Sequence, residues 1–245
     1  MTLNETAYPV DVTILEPFRV GGKPVPLGPD NPVAAIDGKP IVPGPSLKGA
    51  LRSALERLLI ARYYKPGSGW DRSHADWQPC LAASQPSADE RDLESKGLYA
   101  RHSCRYPDKD RQPICPVCYL LGAQGLPGFV RVPFLIANEF PVELYSARID
   151  RVTGTVTTGA NRPYEFVEPP AVFTGTLYVL EEDSSLGWKL GEARTLKQLS
   201  GGDRWLQAGR VDVVADLLMP ALKSIQFLGG YRSKGFGRVE VTVRS

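Results

Sequence analysis

Long apolar runs are absent from this chain of 245 residues. None approaches the ~20 residues that cross a bilayer, and Met1 to Tyr8 has neither the basic nor the apolar region of a signal peptide, so the sequence reads as cytoplasmic with no membrane partner. Excess charge of either sign is absent too. The 29 Lys and Arg against 27 Asp and Glu leave +2, which excludes a polycation; any nucleic-acid face has to come from local clustering. No Gly-Lys-Ser/Thr triplet closes a glycine loop, which excludes the nucleotide P-loop, and the glycine spacing does not match a dinucleotide fingerprint. No internal repeat is visible. Histidine is limited to His74 and His102, so general acid–base chemistry has few candidates.

Proline and glycine, by contrast, are plentiful, at 22 and 24 residues. They gather in Gly21 to Pro45, Pro66 to Pro86 and Pro107 to Pro133, which read as long loops of the functional or disordered kind. A hydrophobic content of 42% supports a real core. One domain over residues 1–245 is expected, with insertions at about 61–128 and 148–172. Val10, Val12 and Ile14 alternate as a first strand; Leu47, Leu51, Ala54, Leu55 and Leu58 recur at helical steps over Leu47 to Ile60. Phe129 to Ile136 and Gly175 to Leu180 read as strands, Val211 to Gln226 as a helix, and Val239, Val241 and Val243 as a closing strand. Strand, helix, strand, strand, helix, strand is the ferredoxin-like order: an α+β fold with an antiparallel sheet and two helices on one face. Residues 150–172, with Arg148, Arg151 and Arg162 near Asp150, Glu165 and Glu168, read as a projecting hairpin or lobe.

Two basic, glycine-punctuated segments point to a phosphate backbone as ligand. In Pro43-Gly44-Pro45-Ser46-Leu47-Lys48-Gly49, a proline-glycine turn enters a helix with Ser46 as N-cap. Its free amides and positive dipole end, reinforced by Lys48 and Arg52 one turn apart, suit an anion. A solvated helix face is the plainer explanation of those two cations. In Gly229-Gly230-Tyr231-Arg232-Ser233-Lys234-Gly235-Phe236-Gly237, four glycines cost more chain entropy than an ordinary strand start warrants, so a ligand approaching the backbone closely is expected; a mobile loop is the alternative.

His102, Cys104, Cys115 and Cys118 fall as H-x-C-x10-C-x2-C, a set that suits structural zinc. Arg101, Arg105, Lys109 and Arg111 would then ride on a metal-held finger. Disulfides conflict with the expected compartment, and a redox Cys-x-x-Cys lacks its usual helix setting. Cys80 and His74 are left over as isolated surface or packed residues, with His74 able to replace His102. Trp70 and Trp77, in an otherwise polar stretch, suggest that residues 66–100 dock on a partner.

Taken together the motifs resemble the RAMP superfamily of CRISPR proteins, specifically the Cas-seven backbone subunit of type III effector complexes. The resemblance rests on Asp30-Asn31-Pro32-Val33, the stretch from Pro40 to Arg52, Cys115-x-x-Cys118-x-Leu120-Leu121-Gly122, Ile149 to Gly154, and the Gly229 to Val239 loop. It implies an RNA-recognition-motif-like core whose copies stack along a guide RNA, with a thumb that interrupts the guide–target duplex. Ser46, Lys48, Arg52, Gly230, Arg232, Lys234 and Gly235 would contact guide RNA and Arg151 would lie near the thumb. Asp30 would support Mg2+-dependent cutting of target RNA. Neighbouring RAMP copies and the large and small effector subunits are the implied protein partners. An inactive guide-binding scaffold is the alternative, and a stand-alone guide-processing endonuclease a more distant one. Without the resemblance, Asp30 in Gly28-Pro29-Asp30-Asn31-Pro32 reads as a turn residue, as does Asp37.

Overall fold

A computed structural model describes residues 3–23, 30–82, 86–106, 113–147, 149–157, 162–194, 202–208 and 211–244. Lys109, Arg111, Arg148 and the Gly28-Pro29 pair lie outside the described residues. In chain order the strands and α-helices are β1 (Leu3–Ile14), β2 (Ala35–Ile36), β3 (Lys39–Val42), α1 (Gly44–Tyr63), β4 (Tyr64–Lys65), β5 (Gly69–Trp70), α2 (Ala88–Ser95) and α3 (Pro116–Leu121). There follow β6 (Val130–Arg131), β7 (Leu135–Ile136), β8 (Val142–Ser146), β9 (Arg162–Phe166), β10 (Val172–Asp183), β11 (Trp188–Lys189), α4 (Met219–Lys223) and β12 (Val239–Val243). The chain divides into two compact units, each discontinuous: Met1–Tyr8, Leu51–Val132 and Leu177–Ser224 form one, and Pro9–Ala50, Pro133–Thr176 and Ile225–Ser245 the other.

The second unit holds the antiparallel ladders β12–β1, β10–β7, β7–β3 and β3–β2, in the strand order β12-β1-β10-β7-β3-β2. Alternation decides the register: Val10, Val12 and Ile14 are fully buried and oppose Val243, Val241 and Val239. The strand expected over Phe129 to Ile136 is two short ones, because Pro133 has no N–H to give to a ladder. Asp37 and Gly38, both at positive φ, make the turn joining β2 and β3. The expected hairpin begins before residue 148. β8 pairs with β9 from Val142↔Phe166 to Ser146↔Arg162, and the bridge Ile149↔Val156 closes its tip.

In the first unit, α1 buries Leu51, Ala54, Leu55 and Leu59; Leu59 rather than Leu58 completes the stripe. The helix also begins earlier than expected, at Gly44, so Ser46 lies in its first turn and not at its cap. The carbonyl of Pro43 accepts from the amides of Ser46 and Leu47, while Pro45 occupies a position where no N–H is needed. The expected helix over Val211 to Gln226 is a π-turn, Val213–Leu218, running into α4. Pro220 causes this. It cannot donate to the carbonyl of Asp216, so Met219 N–H reaches back to Val214, and the orphaned Asp216 carbonyl accepts from Arg62 Nη1 at 2.7 Å.

Around these elements Trp77, Tyr119 and Trp205 form an edge-packed cluster, with Phe129 stacked on Tyr119. His74 stacks on Tyr63 at 4.1 Å. Trp77 is thus covered by its own chain, and the Trp70 indole donates to the carbonyl of Gly97. Arg194 and Asp203 form a bidentate ion pair, 0% and 1% exposed, with Arg194 also over the rings of Tyr119, Phe129 and Trp188. Removing one partner strands the other charge in an apolar setting. Arg194→Met is therefore expected to cost about 3–5 kcal/mol, read as a fall in the chaotrope midpoint of unfolding.

Candidate metal centre and nucleic-acid interface

All four cysteines are buried, and their sulfurs lie within 4.8 Å of one another. Local structure delivers them. A parallel bridge between Cys80 and Ala100 lays the two segments side by side, and the amide of Cys104 donates to Cys80 Sγ. Cys115 caps α3, its sulfur accepting from the amide of Cys118, while its own amide donates to Cys104 Sγ. Separations of 3.5 Å between the sulfurs of Cys80 and Cys118 and 3.9 Å between those of Cys115 and Cys80 approach the ~3.8 Å edge of a tetrahedron with 2.3 Å Zn–S bonds. The four thiols could hold a metal ion such as zinc.

The set differs from the expected one in a single member. Cys80 takes the fourth corner, and His102 instead places Nε2 3.3 Å from the carbonyl oxygen of Pro113. The sequence hid this because Cys80 stands 24 residues from its nearest partner, whereas His102 and Cys104 have the spacing of a ligand pair.

Arg52 belongs to this centre and not to an open helix face. Its Nη1 donates to Cys118 Sγ at 3.5 Å and its Nη2 to the carbonyl of Gly122 at 3.0 Å, with Glu56 at 4.0 Å. Hydrogen bonds from Cys104, Cys115 and Cys80 hold the Cys118 thiol far below the ordinary range, and Arg52 adds to this. Burial pushes the Glu56 carboxyl up to about 7 against the pull of Arg52. Four thiolates around a divalent ion would carry a formal charge of −2, of which Arg52 offsets one unit.

Cys80→Ser is expected to abolish stoichiometric metal content, whereas His102→Ala keeps one ion per chain, as measured by atomic emission after dialysis. Arg52→Ala should keep the ion but bind it roughly 10–100-fold more weakly in chelator competition.

The remaining expected site residues lie in the second unit, apart from those of the metal centre. Asp30 is exposed at the start of a clamped segment. The carbonyl of Asn31 accepts from the amide of Glu165 at 3.0 Å, the carboxylate of Glu165 accepts from the amide of Val33 at 2.9 Å, and Gly22 N–H bonds the carbonyl of Pro32. The segment is thus stitched to β9, the returning strand of the hairpin. Arg151 is exposed near that hairpin's tip, where Asp150 Oδ1 accepts the amides of Val152 and Thr153. Lys48 is half-buried in the first turns of α1.

The glycine loop is a single helical turn, Arg232–Lys234, that leaves Arg232 and Lys234 exposed. Its glycines divide into two kinds. A Cβ on Gly229 would lie 2.3 Å from the carbonyl oxygen of Arg19, and one on Gly237 2.3 Å from that of Leu228, so the chain's own backbone demands these two. Gly230 and Gly235 face open space. Gly235, at φ 79°, is demanded by its left-handed conformation, so close approach by a ligand can explain only Gly230. Tyr231, at φ 59°, joins Tyr164, Phe166 and Phe236 in an aromatic cluster, and Lys234 Nζ stands 4.2 Å from the centre of its ring. Sequence reasoning missed Arg19, which no motif marks.

Gly237→Ala should cost at least about 1–3 kcal/mol in thermal unfolding. Gly230→Ala, by contrast, should leave the unfolding temperature unchanged.

The described residues thus combine a mixed α/β fold with an antiparallel sheet, an exposed basic glycine loop and a cluster of four buried cysteines. The chain matches the RAMP superfamily over residues 11–240 and belongs to it. That membership points to a CRISPR-associated RNA-binding subunit. No curated protein matches the chain.

Proposed function

We propose that this RAMP protein is the guide-RNA-binding backbone subunit of a type III CRISPR effector complex, with a ferredoxin-like core, and that it cuts guide-complementary target RNA at regular intervals. The observation that carries the cutting role is the stitching of the Asp30 segment to β9 through Asn31 and Glu165. A backbone segment tied to the root of the hairpin keeps the carboxylate at its head near any nucleotide that the hairpin would splay out of a duplex. Such a carboxylate suits Mg2+, which is commonly held by one or two carboxylates together with substrate phosphates. Mg2+ would neutralise charge developing on the scissile phosphate. Asp30 itself is the acceptor that orients the splayed strand so that its 2′-hydroxyl lies in line with the next phosphate.

Guide phosphates would be met by Lys48, Arg232 and Lys234, and by the open backbone at Gly230 and Gly235. Arg151 would contact RNA from the hairpin tip. Zinc at Cys80, Cys104, Cys115 and Cys118 would be structural, since four protein ligands leave no open position. The partners would be guide RNA, target RNA, adjacent RAMP subunits and the large and small effector subunits.

With the reconstituted complex at matched guide occupancy, wild type is expected to give evenly spaced cuts in end-labelled target. Asp30→Ala and EDTA should each slow cutting by about 10²-fold or more. Intact target with normal binding in wild type would make the subunit a scaffold.

A further inference from the structure

Arg19 sits in an otherwise apolar stretch, Phe18-Arg19-Val20, and only 6% of it is exposed. Its Nη2 donates to the carbonyls of Asn31 at 3.2 Å and Pro32 at 3.3 Å. The guanidinium carbon stands 4.6 Å from the centre of the Tyr231 ring and 5.9 Å from that of Tyr164. The residue's own carbonyl accepts the amide of Gly230 at 2.9 Å. These partners are carbonyl dipoles and ring faces, not carboxylates. A long apolar side chain would fill the space without desolvating a charge, so packing alone does not account for an arginine here.

What the guanidinium does is join three separate pieces of chain: the segment following Asp30, the returning hairpin strand at Tyr164, and the glycine loop at Tyr231. Its planar fork can bond carbonyls in its own plane while lying against an aromatic ring, which an ammonium cannot do. Tyr231 holds a left-handed backbone conformation that a non-glycine residue keeps only where its surroundings over-determine it. Its ring also lies beneath Lys234 Nζ, so whatever fixes the ring fixes where that ammonium points.

We propose that Arg19 is the positioning residue of the nucleic-acid interface: by fixing Tyr231 it aims Lys234 at an RNA phosphate, and by bonding Asn31 and Pro32 it sets the segment that carries Asp30. The inference rests on the RNA-binding reading above, and its consequence is that Arg19 and Lys234 act as one unit. Their effects on binding are therefore not additive.

The test measures affinity of the full chain for a fluorescein-labelled single-stranded RNA across a salt series. It compares wild type with Lys234→Ala, Arg19→Met, Arg19→Lys, Tyr231→Asn and the Arg19→Met/Lys234→Ala pair. Losing one phosphate contact lowers the slope of log K against log salt by about 0.7. Lys234→Ala, Arg19→Met and Tyr231→Asn are each expected to show that loss, and the double variant no more than a single one. Arg19→Lys, which keeps the charge without the fork, should resemble Arg19→Met. Additive losses in the double variant, or full rescue by Arg19→Lys, would overturn the proposal. Should Arg19→Met fail to fold, Tyr231→Asn decides alone, since asparagine tolerates the left-handed region and Arg19 stays in place; a wild-type slope there refutes the positioning role. Absence of salt-dependent binding in wild type would instead remove the RNA-binding reading itself, and this proposal with it.

Discussion

Four buried sulfurs within 4.8 Å of one another are a poor hydrophobic core and a good cation cage. The region around them consists of short pieces: two-residue strands, single 3-10 turns and the eight-residue α2, in which no residue is buried. Such pieces bury little apolar surface of their own, apart from α3, all six residues of which are buried. A metal ion held by thiolates from both ends of residues 80–118 would add to that packing. Arg52 extends the cage into α1, so the orientation of the insertion is set by charge as well as by the aromatic cluster at Trp77, Tyr119 and Trp205.

The second unit solves a different problem with similar means. It holds two exposed segments, the one starting at Asp30 and the glycine loop with Tyr231 at positive φ. Backbone carbonyls of Arg19 and Leu228 crowd Gly229 and Gly237 from within, which leaves Gly230, Gly235 and the two cations facing outward. In both units an arginine placed among dipoles or thiolates holds segments that lie far apart in sequence. Nη2 of Arg19 bonds two carbonyls, and Nη1 and Nη2 of Arg52 bond a sulfur and a carbonyl.

Much of this was legible in the chain. Period-two and helical spacing located β1, α1 and β12, since each buries one face. Short elements carried no such signal, and Pro133 and Pro220 broke patterns that looked continuous. At the metal centre the Cys115/Cys118 turn was readable because both ligands belong to one local structure. Cys80 was not, because only the tertiary bridge to Ala100 brings it near. Arg52 was read by helical position as a phosphate contact or else a solvated cation, and its commitment to Cys118 and Gly122 depends on contacts 66 and 70 residues away. Arg19 was overlooked for a similar reason: a lone arginine in an apolar run has meaning only once Asn31 and Tyr231 are seen beside it.

The discontinuity of the two units bears on how the molecule is made. β1 leaves the ribosome more than 220 residues before its partner β12 at residues 239–243, and Trp205 follows Trp77 and Tyr119 by more than 80 residues. Neither unit can close on the nascent chain in N-to-C order. The thiols of Cys80 to Cys118 are translated well before the aromatic packing that completes their surroundings. A metal ion held by these thiols would draw the early segments together during that interval, and the cluster would then organise folding as well as brace the finished protein.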